Sequence, residues 1–306
     1  MTQVLFKSGA FVFIILLGFF LKSAGVFGKE DYQVLSRVVL NISLPAAIIT
    51  SFSGLKLSMA LMLLPLLGLV INFLQIFGGW LLAKKKPPLE RILYMFNSSG
   101  YNIGAFAIPF VQSYFGPGAV AGMCLFDVGN GLMCTGANYG VVRSMVPADG
   151  ERLTPAVILK RMFGTLTFPT YLVMVALSLL NITLPAQVID FISPIARANP
   201  FVAMLMVGTM FEFHPRKEYL EPIVKVIGWR LVLGAGLAAL SYFVLPLPLE
   251  IRQALVVVSF APASVVSPAF TARCGGNAQL AGCLNSCSIL VGIPMMLLML
   301  CCMGLA

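Results

Sequence analysis

Polar and helix-breaking residues interrupt two of the apolar stretches in this sequence. One reads Asn97-Ser98-Ser99-Gly100-Tyr101-Asn102-Ile103-Gly104 with Pro109 beyond it, and the other holds Ser259, Pro262, Ser264, Ser267 and Pro268. Amides and hydroxyls donate hydrogen bonds to anionic oxygens, and each proline removes an N–H and leaves a carbonyl without its helical partner. The chemistry on offer is binding: Asn102, Ser98, Ser99, Gly104, Pro109, Pro262, Ser264, Ser267 and Pro268 are the candidate substrate ligands. Asp127 is the one acid deep inside an apolar run, with Asn130 and Asn138 further along, Asn138 being expected away from the two interrupted stretches. A carboxylate at mid-membrane depth costs about 2.5 kcal/mol or more unless paired, protonated or wet. Two readings stay open for it: a coupling-proton site, or a carboxyl hydrogen-bonded to a helix neighbour. No His-Glu-x-x-His, Gly-x-Ser-x-Gly or P-loop pattern occurs, so no catalytic residue, cofactor or metal is expected. Cys283 and Cys287 share a helix face, but with a single histidine in the chain the seven cysteines read as small buried hydrophobes.

The elements that must position these groups are set by composition. The 306 residues are 59% hydrophobic and 10% charged, with a mean hydropathy of +0.96, against about 25% charged in soluble chains. This is an integral membrane protein of all-α class. A spanning helix needs about 20 apolar residues, so ten spans use roughly 200 and leave no room for a soluble domain. The formal charge of +9 does not indicate nucleic acid, because the basic residues stand singly or in threes between apolar runs.

Ten candidate spans emerge: Val4–Phe27, Gln33–Ser53, Ser58–Ala83, Leu89–Phe115, Gly118–Val142, Pro155–Leu180, Phe191–Phe211, Ile223–Leu245, Leu249–Ala272 and Ala278–Met303. The first continues past signal-peptide length and reads as a retained span. Turn chemistry separates several of them, at Lys84–Pro88, Gly116–Gly118, Pro147–Gly150, His214-Pro215 and Cys274–Asn277. The seventh is the weakest, and with Asp190, Pro194 and Arg197 part of it is expected to lie along the interface. Asn41, Asn72, Gln75 and Asn285 read as interhelical hydrogen bonders.

Basic residues set the orientation. Lys22, Lys29, Arg37, Lys84, Lys85, Lys86, Arg91, Arg143, Arg152, Lys160, Arg161, Arg216, Lys217, Lys225, Arg230 and Arg273 gather at alternate loops, leaving Lys7, Lys56, Arg197 and Arg252 opposite. The larger set marks the cytoplasm and puts both termini outside. Arg230 is expected to snorkel to the cytoplasmic face. An internal repeat accompanies this: Arg91, Pro109, Gly116 and Gly122 recur as Arg252, Pro268, Gly275 and, one residue on, Gly282, at an offset of about 160. Five spans per half make it an inverted repeat, and matching broken spans four and nine point to a midplane transport site.

The chain also resembles the auxin efflux carrier family, which includes plant auxin exporters and bacterial permeases for malate, malonate and similar organic anions. Four stretches carry the likeness. Leu40-Asn41-Ile42-Ser43-Leu44-Pro45-Ala46 is similar to the second-span "LPA" run, and Asn102-Ile103-Gly104-Ala105-Phe106-Ala107-Ile108-Pro109 to the fourth-span "Nxgxxg(L/I)P". Ala261-Pro262-Ala263-Ser264 with Ala272-Arg273-Cys274-Gly275 resembles the ninth-span motif, and Ser286 to Pro294 the tenth. The resemblance implies the fold of bile-acid symporters and sodium/proton antiporters, in which broken helices four and nine cross. Residues 1–150 would form one five-helix repeat and 151–306 the inverted second. Residues 1–56 and 155–213 would form a scaffold that often dimerises, and 57–143 and 220–303 a moving transport core. It also implies a substrate-carboxylate role for Asn102 and a helix-breaking role for Pro262, less cleanly for Pro268. Asn72-Phe73-Leu74-Gln75 departs from the plant "DTLQ" run, so the proton-linked role of that Asp has no ionisable counterpart here.

The reading is a secondary transporter of small organic anions in the cell membrane, working by elevator-type alternating access, with a proton as the candidate coupling ion. The alternatives are a sodium-coupled symporter of bile-acid type, an intramembrane enzyme, and a channel or receptor.

Overall fold

Lipid offers no hydrogen-bond partner to a backbone, so long apolar runs fold as helices that satisfy their own N–H and C=O groups. The computed structural model describes residues 2–305 apart from 29, 54, 56, 147–153 and 212–215. The turns expected at Pro147–Gly150 and His214-Pro215, and the basic residues Lys29, Lys56 and Arg152, lie outside the described residues. Six helices there are long and apolar enough to cross a membrane: α2 (Tyr32–Phe52), α3 (Leu63–Leu82), α6 (Pro117–Met145), α9 (Ala186–Thr209), α10 (Lys217–Phe243) and α13 (Ala278–Cys302). Joining α7 (Pro155–Met162) to α8 (Thr167–Leu179) across an 80° bend makes a seventh. Shorter pieces complete the set: α1 (Thr2–Ser23), α4 (Pro88–Ser98), α5 (Ile103–Tyr114), α11 (Leu249–Val258) and α12 (Ser267–Arg273). The protein is a multi-pass membrane protein.

Helices meet closely where glycine removes the side chain. Gly18 of α1 rests on the Leu205 carbonyl and Gly208 of α9 on that of Ile15, leaving no room for a Cβ. Gly68 of α3 and Gly129 of α6 do the same against the carbonyls of Phe126 and Pro65. Small residues at such seams let backbones approach in lipid, where apolar burial alone gives little drive. Large apolar side chains, Phe13, Phe20, Phe191 and Phe243 among them, point outward. Cys301 and Cys302 are exposed too, a correction to the reading of all seven cysteines as buried.

Two spans differ from expectation. The sixth was expected as one run from Pro155 to Leu180; instead the chain turns at 163–166. Gly164 closes that turn with an N–H to the Arg161 carbonyl, and α7, capped by Thr154, carries Lys160 and Arg161 in its last turn. The seventh, expected to divide before Pro200, is not interrupted there. It is one helix through Pro194 and Pro200. Pro200 deprives the Ala196 carbonyl of its helical donor, and the Gln112 side-chain Nε2 donates to that carbonyl at 2.9 Å. Asn199 beside it accepts from Ser43 at 2.9 Å and donates to Gln112 at 3.2 Å.

Candidate functional site

The expected interruptions in spans four and nine are present, and they meet. After Ser98 the chain extends at Ser99, reverses at Gly100 with φ +77°, and re-enters helix at Ile103. The second break covers 259–266, between α11 and α12. Tyr101 and Ala263 form an antiparallel bridge: Asn102 N–H donates to the Pro262 carbonyl at 3.0 Å, and Ser264 N–H to the Gly100 carbonyl at 3.2 Å. Only glycine suits position 100, because its φ is left-handed and an added Cβ would stand 2.8 Å from the Ser264 Cβ.

Every broken helix leaves backbone groups to be satisfied, and side chains from neighbouring helices do this. Asn130 of α6 brackets Tyr101, accepting from its N–H at 2.9 Å and donating to its carbonyl at 3.0 Å. Asn285 of α13 donates to the Ala263 and Ser264 carbonyls, each at 3.1 Å, and the Ser288 hydroxyl accepts from Ala263 N–H at 3.0 Å. Ser267 donates to the Phe96 carbonyl at 2.9 Å, tying one break to the other.

Two sequence expectations fail here. Arg230 does not snorkel: it is 6% exposed, and its guanidinium reaches inward to the crossing. Carbonyls freed by the breaks attract it more than the membrane face does. It therefore leaves the set of basic residues marking the cytoplasmic loops. Asn138, expected away from the crossing, is buried and donates to the Ser99 hydroxyl at 2.8 Å. A π turn at Met133–Ala137, with Gly136 at φ 153°, shifts the register of α6 and swings Asn138 toward the break.

A cavity of about 550 Å³ opens at the crossing. Of the candidate residues, Asn102, Gly104, Ser264 and Asp127 line it. Asn102 is 5% exposed and its Nδ2 has no hydrogen-bond partner. Both Asp127 oxygens are engaged, Oδ1 by Asn130 Nδ2 at 2.9 Å and Oδ2 by the Tyr171 hydroxyl at 3.0 Å. Ser98, Ser99, Pro109, Pro262 and Ser267 do not line this cavity; they shape the breaks behind it. Pro268 lines an adjoining cavity of about 890 Å³, with Lys22, Glu30 and Asn285.

Sequence patterns assign no role at this site to Tyr171, Arg161 and Arg273, which line the 550 Å³ cavity, or to Asn130 beyond its place after Asp127. Arg161 had served only as a loop marker, and Arg273 as a loop marker and as part of the ninth-span motif. Neither is ion-paired to a described carboxylate. Arg230 had left a signal, a cation well inside the run from Ile223. Asn72 is an interhelical bonder as expected, donating to Asn130 at 3.3 Å, whereas Asn41 accepts from the Leu166 N–H of the turn between α7 and α8 at 3.0 Å and donates to the Arg37 carbonyl of its own helix.

Residues 5–146 match a family described as membrane transport protein. A protein of Methanothermobacter thermautotrophicus, named an uncharacterized transporter, is 26% identical over 242 residues, 75% of each chain. These matches make the chain similar to membrane transport proteins over residues 5–146 and to an uncharacterized transporter over three quarters of its length.

Proposed function

We propose that the protein is a secondary transporter of small organic anions, carboxylates above all, working by elevator-type alternating access in the cell membrane. One observation carries this reading. The unpartnered Asn102 amide and Ser264 stand in the same cavity as the guanidinium groups of Arg161 and Arg273. An amide and a hydroxyl donate to a carboxylate, guanidinium groups raise the local concentration of anions, and the half-helix that begins beside Asn102 presents the positive end of its dipole.

The ten-span inverted repeat, with broken helices four and nine crossing, is part of the same proposal, supported by hydrogen bonding between the two breaks. The division into a scaffold, 1–56 with 155–213, and a core, 57–143 with 220–303, is supported by the packing of α1 and α2 against α9 with α8 on α2, and of α3 and α11 against both α6 and α10. Dimerisation through the scaffold and termini outside the cytoplasm complete the reading. A thermal-shift screen of the purified protein against monocarboxylates, dicarboxylates and indole acids, with and without sodium, tests it. Saturating ligand stabilises the native state by RT ln(1+[L]/Kd). Stabilisation by a carboxylate, lost in Asn102→Leu, is expected; stabilisation that requires sodium would favour the symporter reading.

A further inference from the structure

Carbonyl oxygens at the C-terminal ends of broken half-helices carry partial negative charge, and in transporters built this way they commonly coordinate a coupling cation. At this crossing three of them face one side chain. Arg230 donates through Nη1 to the Ser98 carbonyl at 2.8 Å and the Gly100 carbonyl at 2.9 Å, and through Nη2 to the Ala261 carbonyl at 3.1 Å. The first two belong to the break after α4 and the third to the break after α11, so one guanidinium joins both. Its carbon lies 5.0 Å above the Tyr101 ring, and it forms no ion pair with a described carboxylate. A void of about 20 Å³ beside it, lined by Ser259 and Ser288 among others, has room for about one water.

We propose that Arg230 is a tethered cation that takes the place of a coupling ion at the crossing. A guanidinium does not deprotonate in a protein, and its fork of donors serves several carbonyls at once. A bound sodium can leave in each cycle. Arg230 cannot, being fixed to α10. The crossing is thus assembled permanently, with a positive charge on the far side of Tyr101 from the cavity, and needs no sodium to hold its two halves together. The consequence for transport rests on the anion-carrier reading above; the cation site does not.

The test uses the full-length protein in detergent and reads its melting temperature in sodium, methylguanidinium or choline chloride at equal ionic strength. Wild type is expected to melt at one temperature in sodium and choline. Arg230→Ala is expected to melt several degrees lower in choline and to recover in methylguanidinium, which fits the vacated space. Arg230→Lys, which keeps a tethered charge with three donors, is expected near wild type. A specific sodium stabilisation of wild type would overturn the proposal. So would the absence of methylguanidinium recovery in Arg230→Ala, which marks a mere strut. Should Arg230→Ala not fold, Arg230→Lys decides: a protein lost to the same degree overturns it, and one close to wild type upholds it. Because no substrate enters these measurements, a failure of anion transport leaves them readable.

Discussion

At the scale of single residues, Asn102 is the side chain whose loss should speak most directly. Its amide nitrogen has no partner in the cavity wall, and a hydrogen bond to a charged acceptor is worth about 1.5–3 kcal/mol. With about 1.4 kcal/mol per tenfold, Asn102→Leu is expected to weaken carboxylate binding by about ten- to a hundredfold, measured by ligand-induced thermal shift, while the empty protein melts near wild type. Asn41→Leu is the control, since that amide lies at the outside of the bundle, accepting from Leu166 N–H and donating to the Arg37 carbonyl. Asn138 does not serve as one, because it holds Ser99 at the break. Asp127→Asn separates the two readings of that carboxyl. If it exchanges a coupling proton, proton-driven accumulation into proteoliposomes should vanish while substrate exchange persists. If its bonds from Asn130 and Tyr171 are structural, exchange falls together with stability.

At the scale of elements, the breaks were legible because proline, glycine and serine fell together inside apolar runs, where a continuous helix would have no use for them. The 80° turn between α7 and α8 was not, because the run from Phe163 to Phe168 is as apolar as a span interior and only Gly164 marks the reversal. The path of α9 through two prolines was also hidden. It depends on Gln112, distant in sequence, satisfying the Ala196 carbonyl. The destination of Arg230 and the π-shifted register of Asn138 are of the same kind: local patterns name the residue, and tertiary partners decide its role. Gln112→Leu should strand both the Ala196 carbonyl and the Asn199 amide. An unsatisfied buried polar group costs about 1–3 kcal/mol, so thermal unfolding in detergent should show a clear loss of stability, and an unchanged melting temperature would remove Gln112 from this account of α9.

For the whole molecule, orientation rests on the basic residues that remain after Arg230 is set aside. In a background lacking the exposed Cys301 and Cys302, Pro117→Cys should react with impermeant maleimide from outside intact cells, and Lys85→Cys only after permeabilisation; the reverse pattern would invert the topology. In the elevator proposed above, a charge buried in the moving core also has an electrical meaning. Displacing one elementary charge through the membrane is worth about 2.3 kcal/mol per 100 mV, so the step that voltage drives is fixed by the sum of charges travelling with the core. Of the charged groups buried at the crossing, Arg230 is always positive and Asp127 is neutral or negative; with Asp127 protonated the two together carry one positive charge, which a bound monoanion cancels, so their contribution favours a voltage-sensitive empty return. With Asp127 ionised, the two buried charges cancel and a bound monoanion leaves them one negative charge in excess. Transport currents recorded at set membrane voltages distinguish these cases: identical voltage dependence in wild type and Asp127→Asn means that Asp127 keeps its proton throughout the cycle, and a changed dependence means that it ionises.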